Sequence, residues 1–275
     1  MEAMPEIMAR IAARLEANVG YRQAGDQACK ICGSRQGIIE KRQTDGSWLK
    51  KEVQCRSCED QKNGDLAVTA FNAMQKRKAA DKLTLYSTMN DDQLEATFDN
   101  YLPENQTQDE AKSAAEKLVQ AIITGNKDAK GILFGGSFGI GKSHLAAAAC
   151  NAIVEAGKAA AFVSISQLKR KITSTFHNGS KITQDEIMDY LKNVDLLVID
   201  DIGQNAQSEF IDEVLFDLLE SRQGKAHIFT TNLSGRDLID ALNPRIYERI
   251  KKGSLPRKIE GESRRRFALE AEWDF

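Results

Sequence analysis

The chain has 275 residues, with 38 basic and 40 acidic side chains, a formal net charge of −2, 41% hydrophobic and 28% charged composition. That balance excludes a disordered or fibrous chain and a uniformly basic nucleic-acid coat. No uncharged apolar run reaches the roughly 18 residues of a membrane helix, and the start Met1-Glu-Ala-Met-Pro5 lacks the apolar stretch of a secretory signal. A cytoplasmic protein with reduced thiols and no membrane partner is therefore expected.

In chain order, Ile7, Ile11 and Leu15 recur at i, i+4, i+8 and predict a short amphipathic packing helix. Two Cys-x2-Cys pairs follow, Cys29 with Cys32 and Cys55 with Cys58. Each pair can clasp one side of a tetrahedral ion, and the intervening length suits a structural Zn²⁺ site with four thiolate ligands and no position open for catalysis. A disulfide framework disagrees with a reducing compartment, and a thioredoxin-type redox pair leaves the second pair unexplained. Leu66 to Lys82 predicts a helix with Leu66, Ala70, Ala73 and Met74 on one side and Lys76-Arg77-Lys78 near its C-terminal end. The polar stretch from Thr84 to about Gln108, with Asn90-Asp91-Asp92 and Pro103, reads as a linker. The expected organisation is a zinc domain at 1–83, a linker at 84–108 and a larger domain at 109–275.

Beyond Gln108, helical patterns alternate with the apolar runs Gly131–Gly135, Ala160–Ser164, Asp195–Asp200 and Ala226–Thr231, which predicts an α/β fold with a parallel sheet. Leu196 to Ile199 is continuously apolar and is expected to be a central strand buried on both faces. Ligands of such sheets sit beyond the carboxyl ends of the strands. Gly136-Ser-Phe-Gly-Ile-Gly141-Lys142-Ser143 lies between an expected strand and an expected helix and fits the P-loop pattern. Its glycines let backbone N–H groups close on a polyphosphate, Lys142 is expected to reach the β- and γ-phosphates of ATP, and Ser143 to place its hydroxyl on Mg²⁺. The alternative is a glycine-rich turn without a ligand.

Asp200-Asp201 ends the apolar strand, and two adjacent carboxylates there are costly without a cation. Asp200 is expected in the Mg²⁺ shell and Asp201 beside the attacking water, against the alternative of an N-cap followed by a solvated acid. Asn232 follows the next strand and meets the γ-phosphate if the two strands are neighbours; otherwise it is turn chemistry. Arg245 and Arg249 share a helix face if Pro244 opens that helix, so one is a candidate arginine finger for a neighbouring subunit, or a surface cation. Lys169-Arg170-Lys171, followed by Phe176 and His177, joins cations to a stacking aromatic and suits single-stranded DNA, with a solvated charged face as the alternative. Cys150, in an alanine-rich helix, reads as a small buried hydrophobe.

Five segments in this order, Thr97–Tyr101, Gly136–Ala146, Leu196–Gly203, Ile228–Leu233 and Arg245–Ile250, resemble the DnaC/DnaI-type replicative helicase loaders of the AAA+ ATPases. That branch also holds the IstB-type transposition ATPases, and the resemblance runs from about residue 95 onward. It implies an AAA+ core with a truncated lid after the last expected strand, and a phosphate loop made of Gly136, Gly139, Ile140, Gly141, Lys142, Ser143 and His144. It further implies Asn232 as sensor 1, Arg249 with Arg245 beside it as the finger, and Arg264 or Arg265 as a sensor-2-like contact. Many such ATPases carry Glu where Asp201 stands, so hydrolysis is expected to be slow or partner-stimulated. The implied partners are a hexameric replicative helicase reached through the zinc domain, single-stranded DNA, and further copies of the chain in an open spiral. One alternative is an IstB-like helper that binds DNA and recruits a transposase. Another is a metabolic P-loop kinase, against which stand Asn232, Arg249 and the nine bases against three acids from Arg245 to Arg266. The zinc domain could also take nucleic acid as its partner.

Overall fold

The computed structural model describes residues 20–126, 131–176, 182–204 and 209–264. The helix expected at Ile7 to Leu15 lies outside the described residues. The chain divides into two units, 1–72 and 73–275.

In the first unit β1 (Tyr21–Ala28), β2 (Arg35–Arg42) and β3 (Trp48–Glu52) form an antiparallel sheet in that order. The turn between β1 and β2 carries Cys29 and Cys32 and closes through Gly33, at φ 72, whose N–H donates to the Cys29 carbonyl. The Asp45 carboxylate accepts from Ser47 N at 2.9 Å and stabilises the second turn. Arg22 lies over the Trp48 ring at 4.3 Å and pairs with Glu40. These strands escape sequence patterning because charged residues interrupt every alternation.

Immediately after Cys55, α1 (Arg56–Tyr86) begins, and the division between the units falls within it. It is longer than the Leu66–Lys82 helix expected, and Leu66 and Met74 are exposed; its buried residues are Ala79 and Leu83.

In the second unit β4 (Gly131–Gly135), β5 (Ala160–Ser164), β6 (Leu196–Asp200), β7 (His227–Thr231) and β8 (Ser254–Lys258) form a parallel sheet ordered β5-β6-β7-β4-β8. Four of these strands are the apolar runs of the sequence. All five residues of β6 are buried and the strand is interior, although β7 holds the middle position. Sequence reasoning ended the sheet at Thr231 and missed β8, whose Ser-Leu-Pro-Arg-Lys composition gives no strand signal; Pro256 is tolerated because β8 is an edge.

One apolar core packs α3 (Gln106–Thr124) and α4 (Lys142–Glu155) on the sheet, where the run Ala146–Ala149 lets α4 approach closely. The second core packs α5 (Ile165–Ser174), α6 (Gln184–Asn193), α7 (Glu209–Ser221), α8 (Gly235–Ala241) and α9 (Pro244–Gly253) around Leu168, Leu191, Leu218 and Phe229. No helix follows β8 among the described residues, and no described helix is long and apolar enough to cross a membrane.

Much of the stretch expected as a linker is fixed to the core. Phe162 N donates to Ser87 Oγ at 2.9 Å, and Thr88 N donates to the Phe162 carbonyl at 2.8 Å. The short helix α2 (Asp91–Leu94) is closed by a reciprocal capping box between Asn90 and Gln93. The Asn151 amide of α4 then donates to the carbonyls of Gln93, Leu94 and Ala96. Several polar residues of this stretch, Ser87, Thr88, Asn90 and Gln93 among them, satisfy backbone groups here.

Arg222 is buried at 2% exposure, and its guanidinium donates to the carbonyls of Leu191, Lys192, Val194 and Ala226 at 2.8–3.2 Å. The first three lie at the C-terminal end of α6, where a cation suits the helix dipole. Burial pulls its pKa down to about 10. Arg222→Met is expected to lower stability by about 2–4 kcal/mol, because several buried carbonyls lose their donor together. An unchanged urea midpoint would contradict this.

Candidate nucleotide site

Because β7 lies between β4 and β6, the segments after these three strands converge at one end of the sheet. The loop Gly136–Gly141 follows β4 and leads into α4, whose N-cap Gly141 has φ 94 and supplies no side-chain cap. Its N-terminal N–H groups therefore face an anion position. A Cβ at Gly141 would fall 2.6 Å from Tyr101 Cε2, and one at Gly136 would fall 2.2 Å from the Ile259 carbonyl oxygen. Glycine is required at both positions by this close approach.

Lys142, 4% exposed, donates from Nζ to the Ser137 carbonyl at 2.6 Å and to Asn232 Oδ1 at 2.5 Å. The Asn232 amide nitrogen donates in turn to Asp201 Oδ1 at 2.9 Å. Thr230 makes a second bridge: its hydroxyl donates to Asp200 Oδ1 at 2.6 Å, and its oxygen accepts the Asp201 N–H at 2.9 Å. That bond holds Asp201 at φ 56, a left-handed conformation that Asp tolerates better than most residues. Asp200 is 5% exposed, and burial pushes its carboxyl above the usual range, with the Asp201 charge adding to the shift. Hydrogen bonds from Thr230 and Ser143 and the charge of Lys142 oppose that rise. A buried carboxylate held by a hydroxyl and beside a second acid is a fitting ligand set for a divalent cation.

His144 Nε2 lies 2.7 Å from Asn100 Oδ1 and 3.3 Å from the Thr97 carbonyl, both acceptors, so Nε2 carries the proton. Burial lowers its pKa and keeps the ring neutral. Thr97–Tyr101 thus packs beside the P-loop. Arg264 lies over the Tyr101 ring at 4.5 Å, its guanidinium donates to Gln108 Oε1 at 2.8 Å, and its N–H donates to the Gly139 carbonyl at 3.0 Å. Arg264 lines the cavity with Gly139, Gly141, Lys142, Ser143, His144 and Asn232, whereas Arg265 lies outside the described residues. Sequence reasoning missed Thr230, which bridges Asp200 and Asp201, and Phe138 and the α2 side chains Asp92 and Gln93, which border the cavity. A threonine at a strand end and polar residues in a loop carry no distinguishing pattern.

Other expected site residues lie elsewhere. Arg249 is paired with Glu220 and lies 5.7 Å over the Phe216 ring; it borders a groove with Arg245, and neither arginine lines the P-loop cavity. Lys169 and Arg170 are exposed, as is Phe176, which meets Phe210 edge-on at 6.4 Å. Lys171 turns inward: its ammonium donates to the carbonyls of Leu85 and Ser87 at the C-terminal end of α1, and burial lowers its pKa. Lys171 therefore differs from the exposed cation expected of it. His177 lies outside the described residues. Cys150 is buried, with its thiol pKa raised by burial.

In the first unit the sulfurs of Cys29, Cys32, Cys55 and Cys58 all lie within 4.8 Å of one another. The Cys29–Cys58 and Cys32–Cys55 separations are 3.7 and 3.6 Å, close to the edge of about 3.8 Å that a tetrahedron with metal–sulfur bonds of about 2.3 Å requires. Hydrogen bonds with Ser34 pull Cys32 down to about 6, whereas the neighbouring Cys32 thiol and burial push Cys58 up to about 12. Four thiols this close compete for protons, and the donor set fits a single soft divalent ion.

Residues 71–265 match the family described as IstB-like ATP binding protein. The cysteine cluster lies outside that match. The replicative helicase loader DnaC of Escherichia coli (strain K12) is 30% identical over 160 residues, covering 58% of this chain and 64% of that protein. The DnaC loader of Buchnera aphidicola subsp. Baizongia pistaciae is 27% identical over 198 residues, covering 71% of this chain and 79% of its own length. The crystal structure of DnaI superposes with a TM-score of 0.53 at 26% identity, over 65% of this chain and 95% of DnaI.

Since Asn232 links Lys142 to Asp201, Asn232→Ala is expected to lower ATP hydrolysis about tenfold or more while changing ATP affinity less than about threefold. Hydrolysis by the variant at the parent rate would remove Asn232 from the chemistry.

Proposed function

The chain belongs to the family of IstB-like ATP-binding proteins, and we propose that within it this protein is an AAA+ ATPase that loads a hexameric replicative DNA helicase onto single-stranded DNA. One observation carries the reading: the stretch matched by the family spans the entire Lys142–Asn232–Asp201 site, and the two DnaC relatives described above are named replicative helicase loaders. The transposition-helper alternative shares the nucleotide site, but none of the relatives named above is a transposition protein.

ATP would supply the bond that is cleaved, and a bound Mg²⁺ would supply charge neutralisation at its phosphates. The N–H groups of Gly139 to Ser143 bind the phosphate chain, and Lys142 exchanges the Ser137 carbonyl for a phosphate oxygen. Ser143 and Asp200 would hold Mg²⁺, which relieves the cost of keeping Asp200 ionised while buried. Asp201, oriented by Asn232 and Thr230, polarises the attacking water. Arg264 on Tyr101 closes the site toward the Thr97–Tyr101 segment. Arg249 lies away from its own P-loop and serves a neighbouring protomer; such a contact is heterologous and can propagate into an open spiral, the assembly proposed here. Lys169, Arg170 and Phe176 present exposed charge and an aromatic face to single-stranded DNA.

The four cysteines would hold one Zn²⁺, which would tie the β1–β2 turn to the start of α1, and this unit takes the helicase. Purified chain is expected to carry one zinc per molecule and to co-purify with a hexameric replicative helicase. Removal of the zinc by a zinc-selective chelator, with Mg²⁺ kept in excess, should release the helicase while leaving ATP binding intact. Retention of a transposase in place of the helicase, or helicase binding that survives loss of the metal, would overturn the respective part of this reading.

A further inference from the structure

The residues expected as a linker bring an additional acid to the nucleotide site. Thr88 hydrogen-bonds the end of β5: Ser164 N donates to its Oγ1 at 3.1 Å. Ser164 stands in register opposite Asp200 on β6. The chain therefore enters α2 from beside the end of the strand pair that carries the buried acid Asp200. From there Asn90, Asp92 and Gln93 border the same cavity as Ser143, Asp201 and Asn232.

These three side chains are not equivalent. Asn90 Oδ1 accepts from Gln93 N at 2.9 Å, and Gln93 Oε1 accepts from Asn90 N at 3.0 Å, so the capping box engages both amide oxygens. The Asp92 carboxylate makes no hydrogen bond or ion pair among the described residues, whereas Asp201 is tied to Asn232 and Gln204, and Asp200 to Thr230. The residues that follow Asp92 are held by the Asn151 amide, which donates to the carbonyls of Gln93, Leu94 and Ala96. Asp91, its neighbour on α2, does not line the cavity. A magnesium ion bound through phosphates and one or two carboxylates keeps several waters, and those waters need acceptors.

We propose that Asp92 is a positioning residue for the nucleotide-bound Mg²⁺, accepting hydrogen bonds from the water that the ion retains. The inference rests on the ATP-site reading given above. It assigns the segment before the core a direct part in metal-dependent nucleotide binding, separate from the P-loop and the Asp200-Asp201 pair.

The test is a Mg²⁺ titration of ATP affinity on the full chain, with wild type, Asp92→Asn and Asp91→Asn compared, and with a parallel measurement in excess EDTA. Asp92→Asn is expected to raise the Mg²⁺ concentration that gives half-maximal tightening about three- to tenfold, with ATP affinity in EDTA equal to or better than wild type. Asp91→Asn, which removes the same charge one residue away, should match wild type. An unchanged midpoint in Asp92→Asn, an equal shift in Asp91→Asn, or an equal loss in EDTA overturns the proposal and leaves the ATP site standing. Wild-type protein whose ATP affinity ignores Mg²⁺ would overturn both the proposal and the metal part of the reading beneath it.

Discussion

The interposition of β7 between β4 and β6 is the constraint on which the nucleotide site depends. It places two side chains from the end of one strand between the buried Lys142 and an acid pair of which Asp200 is buried. Asn232 accepts from Lys142 and donates to Asp201, while Thr230 donates to Asp200 and accepts from the Asp201 backbone. The Ser137 carbonyl and Asn232 Oδ1 both accept from the Lys142 ammonium, so a phosphate oxygen can take the place of a neutral acceptor. An amide spanning the two groups also makes the acid's position depend on what the lysine binds. Such dependence is what a site that reports the state of its nucleotide requires.

Two polar segments clamp this arrangement from outside the sheet. Residues 87–105 lie along α4, fixed by Ser87, Thr88 and Asn151 and by the Asn100–His144 contact. The segment after β8 approaches the loop itself, with Ile259 N donating to the Gly135 carbonyl and Arg264 N to the Gly139 carbonyl. Arg264 joins the two clamps by stacking on Tyr101 and bonding Gln108 of α3. The P-loop is thus held by elements distant in sequence. Its glycines are required as much by Tyr101 and Ile259 pressing on them as by a phosphate to be wrapped.

The sequence made some of these features legible and hid others for physical reasons. Strands β4 to β7 are continuous apolar runs because the sheet is covered on both faces, and the P-loop and the Asp200-Asp201 pair sit where such runs end. The four cysteines carried their own geometry in their spacing. By contrast β8 is a polar edge containing Pro256, and β1 to β3 form a small charged sheet without a clean alternation, so neither gives a periodic signal. Asn90, Asn100 and Asn151 look like loop or surface chemistry, yet they work as caps and carbonyl partners, a role set by tertiary neighbours. Lys171 was indistinguishable from Lys169 and Arg170 in a basic run, and only the position of the α1 C-terminus turns it inward.

The most direct measurement is ATP binding and hydrolysis by Lys142→Ala and Arg249→Ala proteins, alone and mixed. The account predicts that Lys142→Ala loses ATP affinity, that Arg249→Ala binds ATP but hydrolyses it poorly, and that mixing restores part of the activity because each protomer retains the half-site the other lacks. Undiminished ATP affinity in Lys142→Ala would contradict the nucleotide site, and full hydrolysis by Arg249→Ala alone would contradict its completion by a neighbouring protomer.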